Sequence, residues 1–141
     1  MWSSGSTTLT NVTSTQGVSG VYVSAGTLNA TGCKLSGTTA DLDVEGGTAT
    51  VSSSDLSGGG SYGVYEGGGT LNMDHCTVTG NAGYGFFTYS TVNLQYDTIA
   101  FNSYSGIYEA SGSFTVQNSI VTNNANYGFY RNSGTYTSDH N

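Results

Sequence analysis

Residues 63–81 contain Gly63-Val64-Tyr65, then Thr70-Leu71-Asn72-Met73, then Cys76-Thr77-Val78-Thr79-Gly80-Asn81. Leu71 and Met73 stand two apart with a polar residue between them, which is the period of a strand with one buried face. Cys76 and Val78 repeat that spacing, and Val64 lies between a glycine and a tyrosine. No three- or four-residue apolar period runs through the stretch, so three short strands are expected and no helix.

Outward from this stretch, the triplet returns as Gly20-Val21-Tyr22, Gly85-Phe86-Phe87, Gly106-Ile107-Tyr108 and Gly128-Phe129-Tyr130, with Asp41-Leu42-Asp43 in the remaining place. Successive triplets are 21 or 22 residues apart. The second apolar pair recurs as Leu28/Ala30, Ala49/Val51, Val92/Leu94 and Phe114/Val116. The third recurs as Cys33/Leu35, Ser54/Leu56, Asp97/Ile99 and Ser119/Val121. A fixed period of this length holding three short strands fits a parallel β-solenoid, each turn pairing with the next at about 4.8 Å.

Like residues then stack on like. One core column would be Leu28, Ala49, Leu71, Val92, Phe114 and Tyr136, and another Leu35, Leu56, Val78, Ile99 and Val121. Asn81, Asn102 and Asn124 are spaced for an inward ladder that satisfies the bend backbone. Thr38 and Gly59 hold that place in earlier turns, so the ladder is expected only in the later half. The chain reads as one domain: residues 1–19 a degenerate first turn, 20–127 five full turns, and 128–141 an incomplete last turn.

The order Gly-aliphatic-Tyr, Thr-Leu-Asn-Met, Cys-Thr-Val-Thr-Gly-Asn resembles the right-handed parallel β-helix repeats of the pectin-lyase-like superfamily. The resemblance implies an all-β fold, a right-handed single-stranded parallel β-helix, the usual hand of parallel crossovers. It says little about function, because that superfamily includes polysaccharide lyases, hydrolases, epimerases, phage tailspikes and bacterial surface proteins. It implies an extracellular or cell-surface setting, in a bacterium. Members usually close the solenoid with a helix or loop, whereas both ends here look uncapped. Open parallel edges invite strand addition, so the chain is expected either to be cut from a longer protein or to associate end to end with its own kind.

Composition agrees with a narrow, columnar core. Ser, Thr, Gly and Asn make up more than half of the 141 residues, and only 8% are charged. A helical bundle is excluded. Disorder would want high charge and few aromatics, yet eleven Tyr are present. The net charge of −7, with two cations in all, argues against a nucleic-acid groove. No apolar run approaches the roughly 18 residues of a membrane span, so membrane insertion is not expected. Asn11-Val12-Thr13 and Asn29-Ala30-Thr31 match the glycan acceptor pattern, which is common in any chain rich in Asn and Thr.

The densest acidic cluster is Asp41-Leu42-Asp43-Val44-Glu45, whose alternation would put three carboxylates on one outer face with Glu66 one turn along. Oxygen ligands on adjacent turns could hold Ca²⁺, as in the pectate lyases that the repeats resemble, but no rigid ligand loop accompanies them. No cofactor is therefore expected, and the acids read as a solvated edge. A lyase of that family would also need an Arg or Lys base beside the metal, and neither Lys34 nor Arg131 is placed for it. The hydrolase motifs Asn-Thr-Asp, Asp-Asp, Gly-His-Gly and Arg-Ile-Lys and the epimerase segment Asp-Pro-His are absent. No catalytic residue is assigned.

Asp74-His75-Cys76 suggests a dyad, but adjacent residues of a strand point to opposite faces. Cys33 and Cys76 fall in one column two turns apart, about 9.6 Å, too far for a disulfide. They read as buried thiols in an apolar column, where Cys76→Ser would destabilise. The remaining candidate is a stripe of outward aromatics, Tyr22, Tyr65, Phe87, Tyr108 and Tyr130, interrupted by Asp43. Flat ring faces suit sugars, and Glu66 and Glu109 beside them could bond hydroxyls. The competing reading is that the rings only rigidify the ladder. The expected role is a non-catalytic extracellular or cell-surface scaffold contacting polysaccharide through this strip. The alternatives are a fragment of a carbohydrate-active enzyme whose catalytic turns lie elsewhere, or a self-stacking fibre or adhesin stalk.

Overall fold

A computed structural model describes residues 1–141. All regular structure is β, in three parallel sheets whose strands follow one another around each turn. The first sheet holds Trp2–Ser3, Ser19–Val23, Ala40–Val44, Tyr62–Glu66, Tyr84–Thr88, Ile107–Glu109 and Phe129–Arg131. The second holds Ser6–Thr10, Thr27–Thr31, Thr48–Ser52, Thr70–Asp74, Thr91–Gln95, Ser113–Gln117 and Thr135–Asp139. The third holds Thr13–Ser14, Lys34–Leu35, Asp55–Ser57, Thr77–Thr79, Thr98–Ala100 and Ile120–Thr122. Residues 1–19, expected as a degenerate turn, thus supply a strand to every sheet.

The register stacks the columns read from the repeat. Leu28, Ala49, Leu71, Val92, Phe114 and Tyr136 are successive partners in the second sheet. Leu35, Leu56, Val78, Ile99 and Val121 are partners in the third. With the inward residues of the first sheet they form one continuous apolar cluster along the axis. Each fully buried Leu or Phe contributes about 1.5–3 kcal/mol, so a chain poor in aliphatic residues is held by the few it places inside.

The bends stack as well as the strands. Thr48 N–H donates to Gly26 O, Thr70 N–H to Gly47 O and Thr135 N–H to Gly112 O, each at 2.9 Å. The glycines before these threonines, Gly47, Gly69 and Gly134, have positive φ, and a Cβ there would strike the backbone of the turn beneath.

The glycine of the repeating triplet has a different cause. A Cβ on Gly85 would lie 2.8 Å from Asn102 Nδ2, and one on Gly106 would lie 2.5 Å from Asn124 Nδ2. The asparagine ladder therefore leans on the glycine column, and each turn needs both. Gly59 N–H donates to Asn81 Oδ1 at 2.8 Å, Asn81 N–H to Asn102 Oδ1 at 3.1 Å, and Asn102 N–H to Asn124 Oδ1 at 3.1 Å.

Gly37, not Thr38, precedes Gly59 in this column, because Gly60 N–H bonds Gly37 O just as Ala82 N–H bonds Gly59 O. In the turn of Gly59 the two residue types change places: Asp41 sits in the glycine column, and its carboxylate fills the space a side chain on Gly59 would take. Asp41 Oδ1 accepts from Gly37 N–H at 3.0 Å, the bond an asparagine at 59 would have made. The ladder thus continues one turn further than the asparagines do.

The column of the two cysteines is polar rather than apolar. Cys33 N–H donates to Ser54 Oγ, Cys76 N–H to Asp97 Oδ1, Asp97 N–H to Ser119 Oγ and Ser119 N–H to Asn141 Oδ1. Both thiols are free and buried. Burial pushes the Cys76 thiol up to about 12, so it stays protonated and donates to Asp74 O. Ser54 and Ser119 donate their hydroxyls to the carbonyl two residues back in the same way. The expected penalty for Cys76→Ser is therefore withdrawn: the hydroxyl inherits a ready acceptor, and urea unfolding should place the variant within about 1 kcal/mol of the parent.

Candidate functional site

The acidic cluster does not share one face. Asp41 is fully buried, Asp43 is half-buried and accepts from Ser19 Oγ at 3.1 Å, and Glu45 is exposed. Glu66 is also fully buried and points inward, away from Asp43. The reason is positional. Glu66 follows the outward Tyr65 and occupies the inward column Val23, Val44, Glu66, Thr88 and Glu109, which ends at the exposed Arg131, at the corner between the first and second sheets.

Glu109 lies in the same column and is equally buried. The two glutamates read from the sequence as outward partners for sugar hydroxyls are thus on the wrong side of the sheet. Thr88 Oγ1 donates to Glu66 Oε2 at 2.9 Å and Ser90 N–H donates to the same oxygen at 3.0 Å. Glu66 Oε1 and both carboxylate oxygens of Glu109 have no partner.

Burial raises the carboxyls of Asp41, Asp43, Glu66, Asp97 and Glu109. Asp41 is pushed up to about 7, and Asp55 nearby adds to the rise while the Gly37 N–H opposes it. Glu66 is also pushed to about 7 against the bonds from Thr88 and Ser90. Asp97 rises to about 6 although Cys76 and Gln95 N–H groups hold both its oxygens. Glu109 is raised by burial and lowered by the charge of Arg131, its partner one turn on. These groups sit beneath the sheets and cannot meet a polymer outside. His75 is exposed on a positive-φ bend, bonded to Asp74 at 2.9 Å and set against Tyr96. Cys76 lies inside, so the two form no dyad.

The aromatic strip is present and larger than the sequence suggested. Tyr65, Phe87, Tyr108 and Tyr130 form an unbroken stack, with centroids 6.1, 4.8 and 5.0 Å apart and planes within 17°. Tyr22 is separated from them by Asp43, and Trp2 pairs with Tyr22 one turn earlier. Trp2 was missed because its turn lacks the glycine triplet. A second column runs beside the first: Tyr62 stacks on Tyr84 at 5.9 Å. Tyr89, Tyr104 and Tyr127 flank the two columns. The signal for Tyr62, Tyr84 and Tyr127 was the glycine that follows each of them, Gly63, Gly85 and Gly128.

Stacking changes what the strip can do. Rings one turn apart in near-parallel planes turn their faces to one another, so the strip shows solvent mostly ring edges and phenolic hydroxyls. Free faces remain only where a column lacks a ring. One such gap is at Asp43; beside the second column, where the ring of Tyr104 lies 4.8 Å from Tyr84, an open cleft of about 300 Å³ is lined by Tyr84, Tyr104, Ser105, Tyr108, Asn126, Tyr127 and Tyr130.

No curated protein and no solved structure matches the chain. A family model described as "Right handed beta helix region" matches residues 1–141. With the three stacked parallel sheets and the repeat of 21 or 22 residues, the chain belongs to the right-handed beta helix family.

Proposed function

We propose that the chain is a rigid, non-catalytic β-solenoid scaffold, outside the cell or on its surface, that holds polysaccharide along the first sheet. The observation that supports this is the four-ring stack from Tyr65 to Tyr130 beside the Tyr62–Tyr84 pair. It lays ring edges at intervals of one turn, with phenolic hydroxyls on Tyr65, Tyr108 and Tyr130, along a surface that a linear polymer can follow. A stack locked at the spacing of the turns loses little freedom on binding, which favours affinity. Asp41, Glu66, Asp97 and Glu109 point the other way, into the core.

Retention on immobilised polysaccharides tests the reading. Wild-type protein should be retained by at least one of cellulose, mannan, xylan and polygalacturonate. Tyr62→Phe with Tyr65→Phe, which removes two hydroxyls and keeps both rings, should weaken that retention about tenfold, or about 1.4 kcal/mol. Binding to none of the four, or undiminished binding by the double variant, counts against it.

A further inference from the structure

We infer that the outer face of the second sheet binds ice, because its hydroxyl side chains form a flat, uncharged lattice that repeats in two directions. The inference goes beyond the polysaccharide reading, which concerns the first sheet, and does not depend on it.

The lattice follows from the register. Each of the seven strands of the second sheet begins with Ser or Thr, from Ser6 to Thr135. These leading residues are partners from strand to strand, so they stand in one column at steps of about 4.8 Å. The third and fifth residues of each strand share their face, at steps of about 6.6 Å along the strand. In Ser6–Thr10, Thr27–Thr31 and Thr48–Ser52, every outward residue except Asn29 is Ser or Thr. The other two sheets differ. The first presents aromatic rings, and the leading column of the third passes from Lys34 and Asp55 to Ile120. Strand propensity alone would favour Thr on all three.

The face is also flat and stiff. Six of the seven leading residues follow a glycine, from Gly5 and Gly26 to Gly112 and Gly134, so no side chain stands along that margin. At the opposite margin the bend residues of the first three turns are Asn11, Gly32 and Ser53, whereas the larger His75 and Tyr96 are exposed there later on. The unobstructed area is therefore widest in the first three turns. Branching at Cβ restricts each Thr rotamer, and Thr31 Oγ1 and Ser52 Oγ are bonded to one another at 3.0 Å. Little freedom is left to lose on binding.

Charge and periodicity choose the occupant. No Asp, Glu, Lys or Arg is among the outward residues of those three strands, in a chain of net charge −7. A mineral face is ionic and would call for charged groups in the array. A single sugar chain repeats in one direction only. Hexagonal ice is neutral, and the oxygen rows of its prism face repeat at intervals close to both of those in the sheet. One hydroxyl gains little over its bonds to liquid water. A rigid array meeting a rigid crystal makes many such bonds at once, for a single loss of translational freedom.

Ice growth in a nanolitre osmometer, with a recrystallisation assay and circular dichroism, tests the assignment. The parent should separate the melting and growth temperatures of a crystal, facet it, and keep frozen samples fine-grained where equimolar serum albumin does not. Thr50 is exposed in the middle column of the array. Thr50→Tyr and Thr50→Lys should keep Tm and shrink the temperature gap about tenfold, since one protruding side chain lifts the whole array off the crystal. Thr77→Tyr, at an exposed position on the third sheet, and Tyr62→Phe/Tyr65→Phe on the first should leave the gap unchanged. The ice face is overturned if the parent shows neither a gap nor recrystallisation inhibition at millimolar concentration. It is also overturned if both Thr50 variants, folded by circular dichroism, act like the parent, or if Thr77→Tyr loses as much as they do. Retention on microcrystalline cellulose that Thr50→Tyr abolishes, without any effect on ice, would assign the face to a crystalline polysaccharide instead. None of these outcomes bears on the aromatic strip, whose own test is polymer retention by the Tyr62→Phe/Tyr65→Phe variant.

Discussion

Thermal unfolding followed by circular dichroism should show the protein more stable at pH 5 than at pH 8, with Tm about 10 °C higher on the acid side. The sign follows from the direction of the shifts. Asp41 rises from 3.8 to about 7, Glu66 from 4.5 to about 7 and Asp97 from 3.8 to about 6, so between about pH 4 and 7 the folded chain binds more protons than the unfolded one. Stability then falls with rising pH through that window and levels off above it. At about 1.4 kcal/mol per pKa unit, Asp41 alone accounts for on the order of 4 kcal/mol.

Asp41→Asn isolates the largest share. The amide keeps the Oδ1 that accepts from Gly37 N–H, and it replaces the unpartnered Oδ2 with a donor. Asn81, Asn102 and Asn124 aim the corresponding Nδ2 at the carbonyls of Leu56, Val78 and Ile99. The variant should therefore be several kcal/mol more stable than the parent at pH 8, with the difference falling by more than half at pH 5 and closing below about pH 4. A parent Tm that is flat or rising from pH 5 to 8, or an Asp41→Asn that destabilises at pH 8, would show these acids to be ionised and solvated.

Cutting the ladder is the second large effect. Asn102→Leu leaves Asn81 N–H without its acceptor and takes a donor from the Val78 carbonyl, both in the interior. It also breaks the side-chain bonds to Asn81 and Asn124. A loss of about 3–6 kcal/mol in urea unfolding is expected, since stranded buried polar groups cost about 1–3 kcal/mol each. Asn102→Asp should lose less and be more sensitive to pH than the parent, because it creates a second site like that of Asp41. Equal losses for Leu and Asp at pH 5 would mean that the ladder acts through packing alone.

The architecture was legible because a solenoid writes its register into one dimension. The Leu28-to-Tyr136 and Leu35-to-Val121 columns, and the asparagines at 81, 102 and 124, follow from a period alone, with no long-range guess. What failed was the assignment of faces near bends. Alternation placed Asp41 outside, but its position belongs to the glycine column, where the backbone faces the ladder. Alternation from Tyr65 and Tyr108 would have placed Glu66 and Glu109 inside, yet charge suggested solvent, and charge was the weaker guide. The strip itself was readable, whereas its stacking was not, because ring planes depend on side-chain torsions rather than on spacing.

The exchange between Asp41 and Gly59 also bears on how such a chain can be lengthened, shortened or recombined. In the turns of Gly63, Gly85 and Gly106, the small residue and the amide that leans on it lie 17 or 18 residues apart within a single turn, so a copied or deleted whole turn carries both. The turn of Asp41 carries the same match in reverse. A splice falling between the two members joins Asp41 to an asparagine, putting two side chains in one space, or a triplet glycine to Gly59, leaving a void and an unbonded N–H. Crossovers are therefore tolerated in the interval after the ladder position and before the next triplet, and nowhere inside the pair. The modular unit of this solenoid is set by that steric bookkeeping as much as by the length of its repeat.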